Sequence, residues 1–244
     1  MADEARVGEH RGRIEHVVVL MLENRSFDHL LGYLDHDGAG YPRLDALKPS
    51  CPVDPAKPDG RRVATSPSAK AVLGNDPDHS HQAAVLQMFG REGTPHDETP
   101  TMSGFVESYR RQIEEGTARP LAWWEKVGGT VLFWGKRVWN WLRRRPQPIL
   151  ARPDEIMKCF PDAEIPVLGT LAKQFAVLTD WHASVPGETW PNRQFAHAAT
   201  SNGTANIEYR FYDDVTIFER LSDAGRSWAV YQDGVAHVWV YPRL

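Results

Sequence analysis

The 244-residue sequence has very little cysteine. Its two cysteines, Cys51 and Cys159, lie far apart and lack the close spacing of a metal site. Zinc modules and disulfide-stapled domains need several cysteines at short, regular intervals, so both classes are excluded. A single disulfide and two ordinary thiols both remain open, and two thiols are the commoner outcome.

Long apolar runs and a strong excess of one charge are also absent. The first apolar run, Val17–Leu22, is too short for a secretory leader or a membrane-spanning helix. As written, the sequence therefore predicts a cytoplasmic protein. The formal net charge of −4 gives no general attraction to nucleic acid, so no nucleic-acid partner is predicted.

The composition is that of a globular protein, with 41% hydrophobic and 25% charged residues. This is enough for one substantial core, so residues 1–244 are interpreted as a single domain. Short apolar runs alternate with helical patterns, which predicts an α/β fold with a mostly parallel sheet. The predicted strands are Ile14–Leu22, Phe175–Leu178 and Ser227–Asp233. The predicted helices are Phe27–Tyr33, Gln82–Gly90, Phe105–Ile113, one that starts at Pro166, one near Thr189, and Ile217–Ser222. Residues 36–75 are interpreted as a long surface loop.

A dense polar cluster follows the first predicted strand. Glu23 and Asn24 offer the oxygen ligands that a hard or borderline divalent metal prefers. A helix cap is the alternative, with Ser26 or Asn24 as the cap and Asp28 in the first turn. The cap accounts for Ser26 and Asp28, but a carboxylate directly after a buried strand still needs a partner.

A second cluster follows the strand at 175–178. If Pro191 lies in a first helical turn, Thr189 is at a helix N-terminus, where backbone N–H groups favour phosphate. Its hydroxyl, close to a metal, could attack phosphorus. Asn192 and Arg193 could then hold the phosphoryl oxygens. A capping role for Thr189 is equally compatible with this segment.

Several stretches together resemble one known family. In chain order they are "ENRSFDHLLG", "DPDHSH", "GFVESY", "IPVLGTLAKQFAVLTDWHASVPGETWPNR" and "TSNG". They resemble the phosphoesterase family of bacterial phosphatidylcholine-type phospholipases C and the related acid phosphatase. The resemblance implies an alkaline-phosphatase-like α/β/α sandwich and extends from about Ile14 to about Tyr231.

The resemblance also implies roles for single residues. Glu23 and Asn24 match the family's metal-binding pair, and Thr189 matches the nucleophile, which also contacts the metal. Asn192 matches an active-site asparagine. His79 matches a histidine near the phosphate, and His81 lies close enough to be the alternative or a second contact to the substrate. A divalent metal of unspecified identity is the implied cofactor.

The sequence departs from the family in one respect. Nothing in it resembles the family's later segment "DEGGGFYDHV", which supplies an Asp pair and further metal-site ligands. The resemblance therefore covers the family's N-terminal portion, and the sheet is expected to be incomplete at its C-terminal end. The implied function is metal-assisted phospholipase C chemistry, which converts a phospholipid to diacylglycerol and a phosphorylated headgroup through Thr189. A truncated, inactive remnant that binds phosphate or phospholipid headgroups is the alternative.

Residues 116–152 form a Trp-rich basic insert within this domain. On a helical wheel, Val131–Arg144 separates into an apolar, aromatic half and a basic half. Such a helix can lie at a membrane surface, and it can equally pack its apolar half on the protein's own core. Packing on the core is slightly favoured.

Overall fold

The structure is a computed structural model that describes residues 14–22, 25–34, 47, 49–71, 74–93, 97–118, 151–232 and 236–244. In these ranges, α-helices are joined by long irregular segments and accompanied by one small sheet. The α-helices are α1 (Phe27–Leu31), α2 (His81–Phe89), α3 (Phe105–Ala118), α4 (Pro166–Gln174), α5 (Thr189–Ala198) and α6 (Ile217–Asp223). Short 3-10 helices occupy Pro153–Met157, Asp162–Glu164 and His237–Val240.

Local capping explains where several helices begin. Ser26 caps α1 by accepting a hydrogen bond from the His29 N–H, and Ser80 caps α2 in the same way. Helix α6 begins with a complete capping box between Thr216 and Glu219. These interactions lie within a few residues along the chain, so the sequence predicts them well. The helices predicted at these places are confirmed, and Ser26 is the cap of α1.

Helices α2 and α3 pack against each other. Gly104, just before α3, lies so close to α2 that a Cβ there would be 1.8 Å from the carbonyl oxygen of Leu86. Only glycine permits this approach. Helix α3 also contacts the 3-10 helix Pro153–Met157 and buries Val106 and Tyr109. The contact at Gly104 holds the C-terminal half of α2 against the start of α3.

A two-stranded antiparallel sheet lies in a region predicted as loop. Strand β1 (Ser50–Pro52) pairs with β2 (Arg62–Ala64), with Cys51 opposite Val63. The prediction of a continuous loop over 36–75 is therefore wrong for these two strands. Proline and charged residues flank both short runs and conceal the pairing from pattern analysis. Cys51 and Cys159 are both buried free thiols, which confirms the prediction of two ordinary thiols.

The predicted parallel strands are not formed by the described residues. The segments 14–22, 175–178 and 227–232 have no regular secondary structure, and the paired strands found in the described ranges are β1 and β2. Val18 is 90% exposed and Phe175 68% exposed, although both were predicted to be buried. A central parallel strand needs neighbours on both edges and cover on both faces, and the described ranges supply neither. The mixed α/β character is confirmed, and the two strands that form are antiparallel rather than parallel.

The Trp-rich insert cannot be compared with the structure. Residues 119–150 lie outside the described residues, and this includes the predicted amphipathic helix Val131–Arg144. Among the helices that the structure describes, none has the length and apolar character needed to cross a bilayer.

Candidate functional site

Helix α5 carries the predicted nucleophile at its first residue. Thr189 begins the helix, and Pro191 lies in the first turn, as the sequence predicts. The cap position belongs to Glu188, and no side chain there makes a capping hydrogen bond. The capping role considered for Thr189 is therefore wrong. Thr189 is half-buried, beside backbone N–H groups that have no acceptor inside the helix.

Asn192 fixes the four residues before Thr189, here called the Thr189 loop (Val185–Glu188). Its Oδ1 accepts a hydrogen bond from the Val185 N–H at 3.0 Å. Its Nδ2 donates to the carbonyl oxygens of Val185 at 2.9 Å and Glu188 at 3.0 Å. Both amide hydrogens are thus used within the protein. In this structure Asn192 shapes the approach to Thr189 rather than presenting its amide donors to a ligand.

His81, at the start of α2, contacts the Thr189 loop directly. Its Nδ1 lies 2.8 Å from the carbonyl oxygen of Pro186. Because a carbonyl only accepts hydrogen bonds, Nδ1 is the donor in this contact, and Nε2 is the ring nitrogen that the contact leaves unused. A Cβ on Gly187 would lie 3.3 Å from the His81 Cα, so the loop and the helix start are in close contact.

His79, the first choice from the family resemblance, lies differently. It is exposed, and its Nδ1 is 3.2 Å from the carbonyl oxygen of Pro77, two residues earlier in the chain. Between the two candidates, His81 is the one in contact with the Thr189 loop. Sequence spacing could not separate them, because the distinction depends on how the "DPDHSH" segment turns into α2.

A third segment, Ser201–Ile207, completes the enclosure of the Thr189 loop. Asn206 accepts the His81 N–H through Oδ1 at 2.8 Å, and the Glu188 carboxylate accepts the Ile207 N–H. Thr204 donates to the Oε1 of Gln194 on α5 at 3.2 Å. Asn206 and Glu188 were not predicted as site residues. The sequence marks them only by their position: Glu188 directly precedes the "TWPNR" motif, and Asn206 lies three residues after the "TSNG" motif.

The positive charge of Arg193 acts on two histidines nearby, His197 and His237. Burial and the nearby guanidinium of Arg193 lower the pKa of His197. Burial, the neighbouring His197 and Arg193 together lower the pKa of His237 to about 4. Both imidazoles are therefore neutral at pH 7. His237 also contacts Trp190, the residue after Thr189, with ring centroids 5.2 Å apart.

The predicted metal ligands Glu23 and Asn24 lie outside the described residues. Of the three predicted ligands, Thr189 alone can be placed. The residues around it in the described ranges include no group of three or more His, Cys, Asp or Glu side chains that could hold a metal. The described residues thus do not form the predicted metal site by themselves, and the convergence of Glu23, Asn24 and Thr189 stays a prediction.

Helix α5 carries a hydroxyl at its first residue and an arginine one turn later, and the loop before the helix contacts the imidazole of His81. This combination suits an anionic group such as a phosphate ester. The contacts among α2, the Thr189 loop and Ser201–Ile207 position these side chains from three separate parts of the chain.

Comparison with known proteins gives a consistent result. A profile of the phosphoesterase family matches residues 14–243. The chain is 30% identical to non-specific phospholipase C1 of Arabidopsis thaliana over 240 residues, which are 96% of this chain and 37% of that protein. It is 29% identical to non-specific phospholipase C3 of the same plant, over 97% of this chain and 40% of that protein.

Bacterial relatives are similar at lower identity. The non-hemolytic phospholipase C of Pseudomonas aeruginosa is 26% identical over 239 residues, which cover 90% of this chain and 27% of that protein. The chain thus spans well under half the length of the curated relatives it matches. Since the family profile matches nearly the whole of its length, this chain belongs to the phosphoesterase family.

Proposed function

We propose that the chain carries the nucleophile-bearing part of a phospholipase C-type phosphoric ester hydrolase. The observation that supports this most directly is the position of Thr189 as the first residue of α5, directly after a loop that contacts His81. Family membership and the phospholipase C names of the relatives point to the same reaction class. A phospholipid is the proposed substrate because those relatives are named for phospholipid hydrolysis.

In the proposed reaction, the Thr189 Oγ forms a bond to phosphorus and the ester P–O bond to the glycerol oxygen breaks. Diacylglycerol leaves after its oxygen takes up a proton. Phosphorus, still carrying its headgroup, is now bonded to Thr189 Oγ; water then breaks this Oγ–P bond, which regenerates Thr189 and releases the phosphorylated headgroup. The N–H groups at the start of α5 and the Arg193 guanidinium stabilise the negative oxygens, and the His81 Nε2 accepts a hydrogen bond or a proton at the reacting group.

A divalent metal held by Glu23 and Asn24 would add charge stabilisation at the phosphoryl group when bound. We also infer that segments 14–22, 175–178 and 227–232 are the strands of an alkaline-phosphatase-like parallel sheet. Their continuous apolar character supports this, since buried parallel strands are apolar on both faces.

The test is replacement of Thr189, measured with phosphatidylcholine vesicles and a chromogenic phosphocholine ester in the presence of added divalent metal. Thr189→Ala should lower kcat by at least about 100-fold, while Thr189→Ser keeps a hydroxyl and should retain measurable turnover. Thr99→Ala, at an exposed threonine outside the site, is the matched control. Mass spectrometry of acid-quenched wild-type protein should find phosphocholine on Thr189. Unchanged turnover in Thr189→Ala would exclude this residue as the nucleophile.

A binding protein without hydrolytic activity is the second candidate. It is favoured by the engagement of both Asn192 amide hydrogens in hydrogen bonds within the protein. In that case the wild-type chain should bind phosphocholine in calorimetry without turning over either substrate. Arg193→Gln should then weaken binding, whereas Thr189→Ala should leave binding nearly unchanged.

The membrane interaction proposed for residues 131–144 needs its own experiment. Sedimentation with liposomes should compare the intact chain with a variant that lacks residues 120–150. Equal sedimentation of the two proteins would exclude this segment as the membrane contact.

A further inference from the structure

Unpaired buried polar atoms are concentrated in one place. In the part of the chain that the structure describes, the buried side-chain N and O atoms without a hydrogen-bond partner are Gln194 Nε2, His197 Nδ1, both ring nitrogens of His237 and the Tyr241 hydroxyl. All of them lie on α5 or on the segment His237–Tyr241. Native proteins leave few such atoms unpaired, so a cluster of them indicates a ligand that the protein atoms alone do not provide.

Three of these residues have their rings arranged as a nearly regular triangle. The ring centroids of His197 and His237 are 5.6 Å apart, those of His197 and Tyr241 6.0 Å, and those of His237 and Tyr241 6.3 Å. Two imidazoles on one tetrahedral ion, at metal–nitrogen distances of about 2.1 Å, have centroids roughly 5 Å apart. A phenolate on the same ion places its centroid roughly 6 Å from each imidazole. The observed triangle is close to this arrangement.

The chemistry of the three side chains selects the class of ion. Imidazole nitrogen is a ligand of zinc, copper, nickel and iron, whereas magnesium and calcium prefer sets of oxygen ligands. This cluster therefore differs in kind from the proposed Glu23–Asn24 site. His237 is 7% exposed and Tyr241 2% exposed, while His197 is only half-buried and leaves a route for an ion to enter.

Charges near the cluster act in both directions. Arg193 is close enough to affect both histidines, and its positive charge opposes a bound cation. Asp214 is close enough to Tyr241 to affect the phenol, and its negative charge favours a cation. The two charges act in opposite senses, and the ligand atoms select the class of ion.

We propose that His197, His237 and Tyr241 form a transition-metal site of the zinc class that fastens the segment His237–Tyr241 to α5. The site would have three protein ligands and a fourth position for water. It joins residues 40 positions apart in the sequence and lies next to Trp190, which contacts His237 and follows Thr189. The bound ion would therefore hold the C-terminal segment against the helix that carries the predicted nucleophile, which is a role distinct from phosphoester hydrolysis.

The experiment uses the full 244-residue chain with the replacement Glu23→Gln, which removes the other predicted metal site. After removal of metals by chelation, the protein is titrated with Co²⁺, whose visible absorption reports four-coordinate geometry, and with Zn²⁺ in a calorimeter. We expect one ion per chain, the absorption pattern of tetrahedral Co²⁺, and a rise in Tm with Zn²⁺.

His237→Gln and His197→Gln should each weaken Zn²⁺ binding by at least about 100-fold, since each removes a direct ligand. Tyr241→Phe keeps the ring and its packing, so it should fold normally, weaken binding by about 10-fold and change the Co²⁺ spectrum. His182→Gln, at an exposed histidine outside the cluster, is the control and should bind like the parent.

Absence of Zn²⁺ and Co²⁺ binding in the parent would overturn the proposal, and would leave buried water as the partner of the unpaired atoms. Equal affinity in the parent, His237→Gln and Tyr241→Phe would also overturn it. Thr189→Ala should bind Zn²⁺ like the parent, so failure of the proposed hydrolase function and failure of this site are distinguishable.

Discussion

At the scale of single residues, Asn192 in the "TWPNR" motif has two possible roles: contact with the substrate, or support of the Thr189 loop. The sequence segment predicts a contact to the phosphoryl oxygens, whereas the structure shows three hydrogen bonds that hold the Thr189 loop. A residue that shapes the loop contributes to the stability of the empty protein. A residue that only contacts substrate does not.

Asn192→Asp is the sharpest test, because the two side chains have the same shape. The aspartate loses both amide donors and places a carboxylate against the carbonyl oxygens of Val185 and Glu188. We expect a loss of about 1–3 kcal/mol in the free energy of unfolding without ligand, measured by urea denaturation. Unchanged stability combined with weaker phosphocholine binding would show instead that Asn192 acts on the substrate.

The residues of the site were predictable to different degrees. Thr189 at a helix start follows from Pro191 and is local, so the sequence predicts it correctly. The choice between His79 and His81 depends on the path of one loop. The role of Asn206 depends on a contact between segments 125 positions apart, and that of Glu188 on a contact 19 positions away. Patterns along the sequence carry no information about such contacts between distant segments.

At the scale of elements, the sequence predicted helices better than strands, for one physical reason. A helix satisfies its backbone within itself, and its caps lie in the sequence, as for Ser26, Ser80 and Thr216. A strand needs hydrogen-bond partners from elsewhere. The apolar runs 14–22 and 175–178 can form buried strands only where neighbouring strands supply hydrogen-bond partners. The described residues do not supply such strands.

Helix α3 contains an ion-pair cluster that should make its stability depend on pH. Glu107 is nearly buried and accepts hydrogen bonds from Arg110 and Arg111 at 2.7–2.8 Å. Burial alone would raise the pKa of this carboxyl, but the two arginines outweigh it and lower the pKa below the ordinary 4.5. The stabilisation is therefore present above about pH 4.5 and is lost as the pH falls through the lowered pKa.

Glu107→Gln should lower the free energy of unfolding by about 1–3 kcal/mol at pH 7, since it leaves two arginines without their shared carboxylate. The difference from wild type should shrink as the pH falls below 4.5. Glu115→Gln, at an exposed position on the same helix, should change stability little. Thermal melts of the three proteins between pH 3 and 7 measure this, and a difference that is independent of pH would contradict it.

At the scale of the whole molecule, large exposed apolar side chains are concentrated in the segments predicted as strands. Val17, Val18, Val19 and Leu20 are all more than three-quarters exposed, and Tyr231 is 93% exposed. Monomeric proteins rarely present such continuous apolar segments to water. The relatives are more than twice as long as this chain, so in them further polypeptide is available to cover the corresponding segments.

This exposure predicts that the 244-residue chain associates with itself through unpaired apolar segments. Sedimentation velocity should show larger species as concentration rises, together with binding of a hydrophobic dye. The double replacement Val18→Lys and Leu20→Lys should reduce both signals, because burial of each native side chain contributes about 1.5–3 kcal/mol. Thr99→Lys adds a charge at an exposed polar site and is the matched control. A monomeric chain that binds no dye would show that residues 14–22 are covered within the chain itself, and the inferred parallel sheet would then need a different edge.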